Sequence, residues 1–311
     1  MRNELERIIS HWMEADENVL FLAADIGGGL YKKLAGKFPG RAVNVGIAEQ
    51  NMIGMAAGLT DMGFRAICYS KACFVSLKVA DQIKNALCYA RKNVLLIAAD
   101  AGYDEANAGH PHISMEDLGI VQSFPELDIY MPSTVHSLHS MFERLKDSNK
   151  PAYLRMNKQK VEEETLELLD VGFALYYMKK AEHPQMLILA YGCSAIEAMR
   201  MAEGDSAISI LAVDSLSIDD NFLMKEILKY RKVLVLEEQF EGNGLYSYLC
   251  RMLVRHHVSD IALERLGPSF EYRGYCFDRE TALMEERRQY EKGYGRHESG
   301  KAADGKNALG R

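Results

Sequence analysis

A glutamate placed at the head of a helix of small residues is the feature of this sequence best suited to chemistry. In Asn44-Val-Gly-Ile-Ala-Glu-Gln-Asn-Met-Ile-Gly-Met-Ala-Ala-Gly-Leu59, Val43 and Val45 end an extended run, Gly46 permits a tight turn, and Glu49 opens the helix. Gly54, Ala56, Ala57 and Gly58 let that helix lie close to whatever it packs on. A carboxylate at such a position gains from the helix dipole but is expensive to desolvate, so it calls for a specific partner. Asp25 follows the apolar run Val19–Ala24, and open parallel sheets hold ligands at the C-terminal ends of their strands. His112, in Gly109-His-Pro-His112, brings an imidazole that titrates near working pH. Arg155 brings a fork that fits phosphate or carboxylate.

These residues need a scaffold, and the chain supplies alternating strand and helix patterns, which predict a parallel α/β sheet. Val19–Ala24, Ala66–Tyr69, Val94–Ala98 and Ile129–Met131 read as strands; Leu5–Glu14, Ile47–Gly58, Lys78–Tyr89 and Thr134–Asp147 read as helices. Lys158 to Thr165 is a highly charged connector. Gly172–Met178 reads as one strand leading into a second α/β unit, with further strands at Met186–Ala190, Ile208–Ala212 and Lys232–Leu236. The expected organisation is a first domain over 1–157, a linker over 158–184, a second domain over 185–279 and a charged, disordered tail over 280–311.

The 311 residues suffice for two cores. Hydrophobic content of 48%, charged content of 26% and a formal charge of −7 fit a soluble globular chain and argue against a nucleic-acid or anionic-membrane surface. Six cysteines stand singly, at Cys68, Cys73, Cys88, Cys193, Cys250 and Cys276, which fits core thiols in a reducing compartment. The start Met1-Arg-Asn-Glu-Leu-Glu-Arg is too charged for a signal peptide, and no apolar run reaches the ~20 residues of a membrane span. A cytoplasmic protein is expected.

The segment around Glu49 resembles the pyrimidine-binding domain of transketolases and deoxyxylulose-phosphate synthases, which use thiamine diphosphate. Further words follow in family order: Tyr69-Ser-Lys-Ala-Cys-Phe to Asp81-Gln-Ile-Lys-Asn85, Asn93–Ala98, Gly109-His-Pro-His-Ile-Ser-Met-Glu-Asp-Leu118, Phe124–Ser133 and Pro151-Ala-Tyr-Leu-Arg155. The likeness is strong over about 1–156 and weaker over about 185–275, where Val235-Leu-Glu-Glu-Gln-Phe-Glu-Gly-Asn-Gly-Leu245 is similar to a stretch of the family's C-terminal domain. An ordered set of words is far more specific than any one of them. The resemblance implies that Glu49 hydrogen-bonds N1′ of the cofactor aminopyrimidine, that Phe74 packs on that ring, and that Asp25 lies near the thiazolium. It implies that His112 relays protons beside substrate oxygens and that Arg155 clamps a substrate phosphate. Ketol transfer is the implied reaction; a 2-oxo acid dehydrogenase E1 β-like subunit and a non-catalytic regulatory partner are the alternatives.

Two departures shape the expectation. The family's Gly-Asp-Gly followed by Asn, which holds the diphosphate through Mg²⁺, does not occur in this sequence. The resemblance therefore implies a split enzyme, in which a partner subunit carries the diphosphate-binding domain and Mg²⁺, in a heterotetramer. The second departure concerns substrate. Asp100 stands where sugar-phosphate transketolases have His, Ala108 and Gly29 replace polar family residues, and Lys71 replaces an aromatic. A carboxylate such as Asp100 would repel a phosphate by ~4 kcal/mol at 4 Å for an effective dielectric of 20. An unusual, non-phosphorylated, amino-bearing or nucleotide-linked sugar is expected.

Overall fold

The computed structural model describes residues 1–26, 28–163, 166–268 and 278–300, with side chains as far as residue 290. Gly27, Cys276, the end of the charged connector and the tail beyond 300 lie outside the described residues. The chain forms an α/β structure of two domains, each built on a six-stranded sheet.

The first sheet contains β1 (Val19–Ala23), β2 (Ala42–Asn44), β3 (Arg65–Lys71), β4 (Val94–Ala99), β5 (Asp128–Tyr130) and β6 (Ala152–Arg155), in the order β2-β1-β3-β4-β6-β5. Every pairing is parallel. Its helices are α1 (Arg2–Ala15), α2 (Gly28–Lys37), α3 (Glu49–Asp61), α4 (Ala72–Ser76), α5 (Ala80–Gln82), α6 (Asp117–Val121) and α7 (Val135–Asp147); α5 runs on into a π-helical stretch, Ile83–Tyr89.

Period-two alternation sends the strands' side chains to two cores. Leu22, Ala66, Cys68, Leu96 and Ala98 meet Met52, Ile53 and Ala56 of α3. Phe21, Ile67, Tyr69 and Leu95 meet Leu5, Ile9 and Trp12 of α1 and Leu138 and Phe142 of α7. All six residues of β4 are buried, as a central parallel strand covered on both faces requires. The helix expected over Thr134–Asp147 has Thr134 as its cap, accepting from Ser137 N–H at 3.1 Å.

The second sheet contains β7 (Leu169–Gly172), β8 (Leu175–Lys179), β9 (Met186–Ala190), β10 (Ile208–Val213), β11 (Lys232–Leu236) and β12 (Ala262–Leu266), in the order β12-β11-β9-β10-β8-β7. The four from β9 to β12 pair parallel, whereas β8 runs antiparallel to β7 and β10. Its helices are α8 (Ser194–Met201), α9 (Asp220–Ile227), α10 (Gly244–Arg255) and α11 (Arg279–Gly300).

Three expectations need correction here. The strand read over Gly172–Met178 is a hairpin, turned at Phe173-Ala174 with Ala174 at φ 53°. Consequently the supposed linker over 158–184 contains two strands of the second sheet. The supposed tail begins as a helix: α11 buries Ala282, Leu283 and Glu286, spaced to share one helical face.

The domains are joined through backbone. Met131 N–H donates to the Asp214 carbonyl at 2.7 Å and Gly192 N–H to the Met131 carbonyl at 3.1 Å. Asp214 also receives Ser133 N–H at 2.8 Å and the Tyr176 hydroxyl at 2.7 Å. The C-terminal edge of the first sheet is thereby held rigidly against the second domain.

Candidate active site

The turn between β2 and α3 builds the centre of the site. Asn44 ends β2, and its side-chain oxygen accepts from Asp25 N–H at 3.1 Å and Gly46 N–H at 2.9 Å. Its amide nitrogen donates to the Asp25 carboxylate at 3.0 Å. This bracket holds Asp25 at φ 53° and Gly46 at φ 75°, so the ends of β1 and β2 are locked together just before Glu49. Asp25 itself is exposed, its carboxylate at the rim of the sheet.

Glu49 sits in the first turn of α3 at 1% exposure. Two groups meet its carboxylate: the Ser70 hydroxyl donates to Oε1 at 3.3 Å, and Lys78 Nζ reaches Oε2 at 2.6 Å. Ser70 comes from β3 and Lys78 from the segment after α4, so α4 is stretched between the two partners. The helix dipole and the Lys78 ammonium both place positive charge beside this carboxylate. Lys78 is 43% exposed and covers the carboxylate from the solvent side on a flexible stem.

The same short helix positions Phe74, half-buried, against His112: the rings lie 5.6 Å apart and edge-on at 70°. His112 ends a single 3₁₀ turn, His110–His112, entered through Gly109 at φ 78°. Its Nδ1 is buried without a hydrogen-bond partner. A buried polar atom left in that state is a place where a ligand or a water completes the structure. The residues thus fit the pyrimidine end of thiamine diphosphate: a buried carboxylate for a ring nitrogen, a flat ring for stacking, and an imidazole with an open nitrogen.

Of the six expected site residues, the structure ties Asp25 through Asn44 to Gly46, three residues before Glu49, and joins Phe74 to His112. Arg155 and Asp100 do not join them. Arg155 is 1% exposed; its Nε donates to Asp117 Oδ2 at 3.0 Å and its Nη2 to the carbonyls of Ser114 and Glu238 at 3.4 and 3.3 Å. Its guanidinium also lies 5.7 Å from the Tyr191 ring centre. Burial alone would lower its pKa, but Asp117 and other acidic neighbours hold it above the usual value. Arg155 is a clamp between the domains, and the contacts it makes here are with protein groups of both.

Asp100 is likewise committed. Held at φ 56° after β4, it is 7% exposed and takes Arg2 Nη2 from α1 at 2.8 Å. It shares a small cleft with Leu5, Tyr69 and Met156 on the α1 side of the sheet. A carboxylate neutralised by an arginine does not carry the repulsion that the sequence suggested.

Asn44, Ser70 and Lys78 are the functional residues the sequence reading passed over. Ser70 and Lys78 lie inside the quoted word Tyr69–Asn85 and Asn44 begins the word around Glu49, so the signal was present without the pairing.

Buried acids gather behind the His112 loop. Asp104 accepts Lys158 N–H at 2.6 Å, yet burial, reinforced by Glu238, pushes its pKa up to about 7. A carboxyl whose native pKa exceeds its unfolded one contributes its full stability below the unfolded pKa, ordinarily about 3.9. That contribution is lost as pH rises through the native pKa, at about 1.4 kcal/mol per unit of separation. Asp104→Asn is therefore expected to gain stability over wild type between pH 5 and 8. Urea midpoints at the two pH values check this, and parallel pH profiles for the two proteins would refute it.

Two parallel-sheet strand ends, a buried helix-head glutamate and an edge-on Phe–His pair are features that a pyrimidine-binding site of the thiamine diphosphate type would use. Comparison with known proteins agrees. Residues 1–164 match the model for "Transketolase, pyrimidine binding domain", and the chain belongs to that family. It is 27% identical over 278 residues to the 6-deoxy-6-sulfo-D-fructose transketolase subunit of Clostridium sp. (strain MSTE9), covering 86% of this chain and 84% of that protein. It is 26% identical over 238 residues to an apulose-4-phosphate transketolase subunit of Actinobacillus succinogenes, covering 74% and 75%. Among solved structures, a split-gene transketolase described as an inactive beta4 tetramer superposes with a TM-score of 0.71 at 25% identity, covering 86% of this chain and 88% of that one. The function shared with these relatives is transketolase-like, and the class is transferase. Among the described residues no helix is long and apolar enough to cross a membrane.

Proposed function

We propose that this chain is the pyrimidine-binding subunit of a split, thiamine diphosphate-dependent transketolase, active only with a partner that carries the diphosphate-binding domain and Mg²⁺. The observation that carries this reading is Glu49: a carboxylate at 1% exposure, fixed at a helix head between Ser70 and a displaceable Lys78. When bound, thiamine diphosphate supplies a carbon nucleophile for the ketose carbonyl. Glu49 would hold the proton at pyrimidine N1′, Phe74 would orient the ring, and His112 would take or give a proton at a substrate hydroxyl. Asp25, tied to the same turn by Asn44, faces the cofactor from the rim.

A second subunit is favoured by an exposed apolar surface beside this site. Ile47 and Met62 are 76% and 73% exposed, and Met55, Leu77 and Tyr89 are exposed with them. Ile47 precedes α3, Met55 lies within it and Met62 follows it, while Leu77 caps the end of α4 and Tyr89 ends the π-helical stretch. Apolar patches of this kind mark association surfaces.

The relatives named for sulfofructose and apulose 4-phosphate support an unusual sugar as substrate. Neither Arg155 nor Asp100 offers a sugar a free group here, so the partner subunit supplies any anion contact. Calorimetry tests the assembly. The isolated chain should bind thiamine diphosphate and Mg²⁺ negligibly, and adding the diphosphate-domain subunit should restore binding. Tight Mg²⁺-dependent binding by this chain alone would reject it.

A further inference from the structure

The helix α11 reaches beyond its own domain. Arg279, at its start, donates through Nη2 to Glu238 Oε1 at 2.5 Å. The other oxygen of Glu238 accepts Tyr103 N–H at 3.2 Å, in the loop between β4 and His112. About two turns further along α11, Glu286 accepts the Tyr103 hydroxyl. Tyr103 is therefore held at both its backbone and its side chain by α11 and by a carboxylate that α11 neutralises.

Packing repeats the pattern. Tyr103, Ala106, Ile113 and Met115 form one apolar cluster with Phe240 of the second domain and Ala282 of α11. Ala106 and Ile113 bracket the 3₁₀ turn that carries His112, so the underside of that turn rests on α11 and Phe240. Gly102 allows the approach: at φ +62°, a Cβ on it would lie 2.0 Å from Glu238 Oε2. The first domain anchors the start of the loop, where Asn157 Nδ2 donates to the Ala101 carbonyl at 2.8 Å, Lys158 N–H to Asp104 at 2.6 Å and Lys71 pairs with Glu105 at 3.0 Å, and α11 adds its hold at Tyr103. The loop's turns close through Ala106, Ala108 and Gly109 on local bonds such as His112 N–H to the Gly109 carbonyl at 3.0 Å.

We propose that Arg279, Glu286 and Tyr103 are positioning residues, through which α11 fixes the His112 imidazole against Phe74. This rests on the reading of His112 as a substrate-facing group. The helix lies outside residues 1–164, which match the pyrimidine-binding family, so here the second domain contributes to holding the His112 loop. Its effect is on the proton-relay side of the site. Glu49 is held independently by Ser70 and Lys78 and is not touched by it.

Tyr103→Phe keeps the ring in the apolar cluster and removes the hydroxyl that bonds Glu286, and Arg279→Met removes the cation, with Arg279→Lys as the conservative control. Backbone hydrogen exchange over residues 101–115 of the full chain should rise ~10-fold in Tyr103→Phe and more in Arg279→Met, because local opening sets that rate. In the assembled enzyme kcat for ketol transfer should fall ~10-fold, in proportion to the loosening, with Arg279→Lys in between. Exchange of the cofactor C2 proton should stay within ~2-fold of wild type, since it does not need His112. Unchanged exchange over 101–115 in both variants would overturn the proposal, as would a loosened loop with unchanged turnover. A wild-type complex lacking C2 exchange and ketol transfer would instead refute the function proposed above, and the hydrogen-exchange result would still decide whether α11 holds the loop.

Discussion

Replacing Glu49 by glutamine is expected to slow exchange of the C2 proton of bound thiamine diphosphate by ~10²–10⁴-fold in the assembled enzyme, the range for losing a positioned acid–base group. The carboxylate is buried at 1% exposure, so its hydrogen bond to a ring nitrogen would form away from competing water. Glutamine fits the same volume and can still accept from Ser70. It cannot share a proton with N1′, and it loses the charge that draws Lys78 to 2.6 Å. The fold should survive, because α3 is held by Met52, Ile53 and Ala56 rather than by the carboxylate. Exchange in D₂O reads this step without a sugar substrate. A rate within a few-fold of wild type would show that Glu49 belongs to the ion pair with Lys78 alone.

The helix-head position of Glu49 was legible in the sequence because its signal is local, an extended run, Gly46 and a helix of small residues, whereas its partners Ser70 and Lys78 are 21 and 29 positions away. The parallel first sheet was legible for a similar reason, since buried strands such as β4 are continuous apolar runs. What the sequence concealed depends on distant partners. Arg155 and Asp117 lie 38 positions apart in the chain, and an arginine at a strand end reads the same whether it faces a ligand or a buried acid. Asp100 gave no hint of Arg2, 98 positions away. The hairpin at Phe173-Ala174 lacks the Asn-Gly or Asp-Gly that marks a tight turn, so two short strands looked like one. The helix α11 was hidden by its charge: Arg279, Glu286 and Arg287 look like solvated residues until Glu238, Tyr103 and Glu197 are found opposite them.

Arg155→Met is expected to destabilise the protein by ~3–5 kcal/mol, the usual result of removing one partner from a buried ion pair. Asp117 would keep the Tyr153 hydroxyl at 2.9 Å and the Gln239 amide at 2.6 Å, yet its charge would stand uncompensated at 0% exposure. The carbonyls of Ser114 and Glu238 would lose a donor at the same time, and methionine fills the space without replacing either. Since Ser114 lies in the first domain and Glu238 in the second, the loss falls on the contact between them. Arg155→Lys should recover only part of it, because one ammonium cannot span a carboxylate and two carbonyls as a planar fork does. Urea unfolding followed separately by fluorescence and by circular dichroism measures the effect and shows whether the domains separate. The competing account, an arginine that clamps a substrate, predicts the opposite pattern: wild-type stability with a raised KM for an anionic sugar. That outcome would restore the phosphate-clamping role and show that the two domains hold together without Arg155.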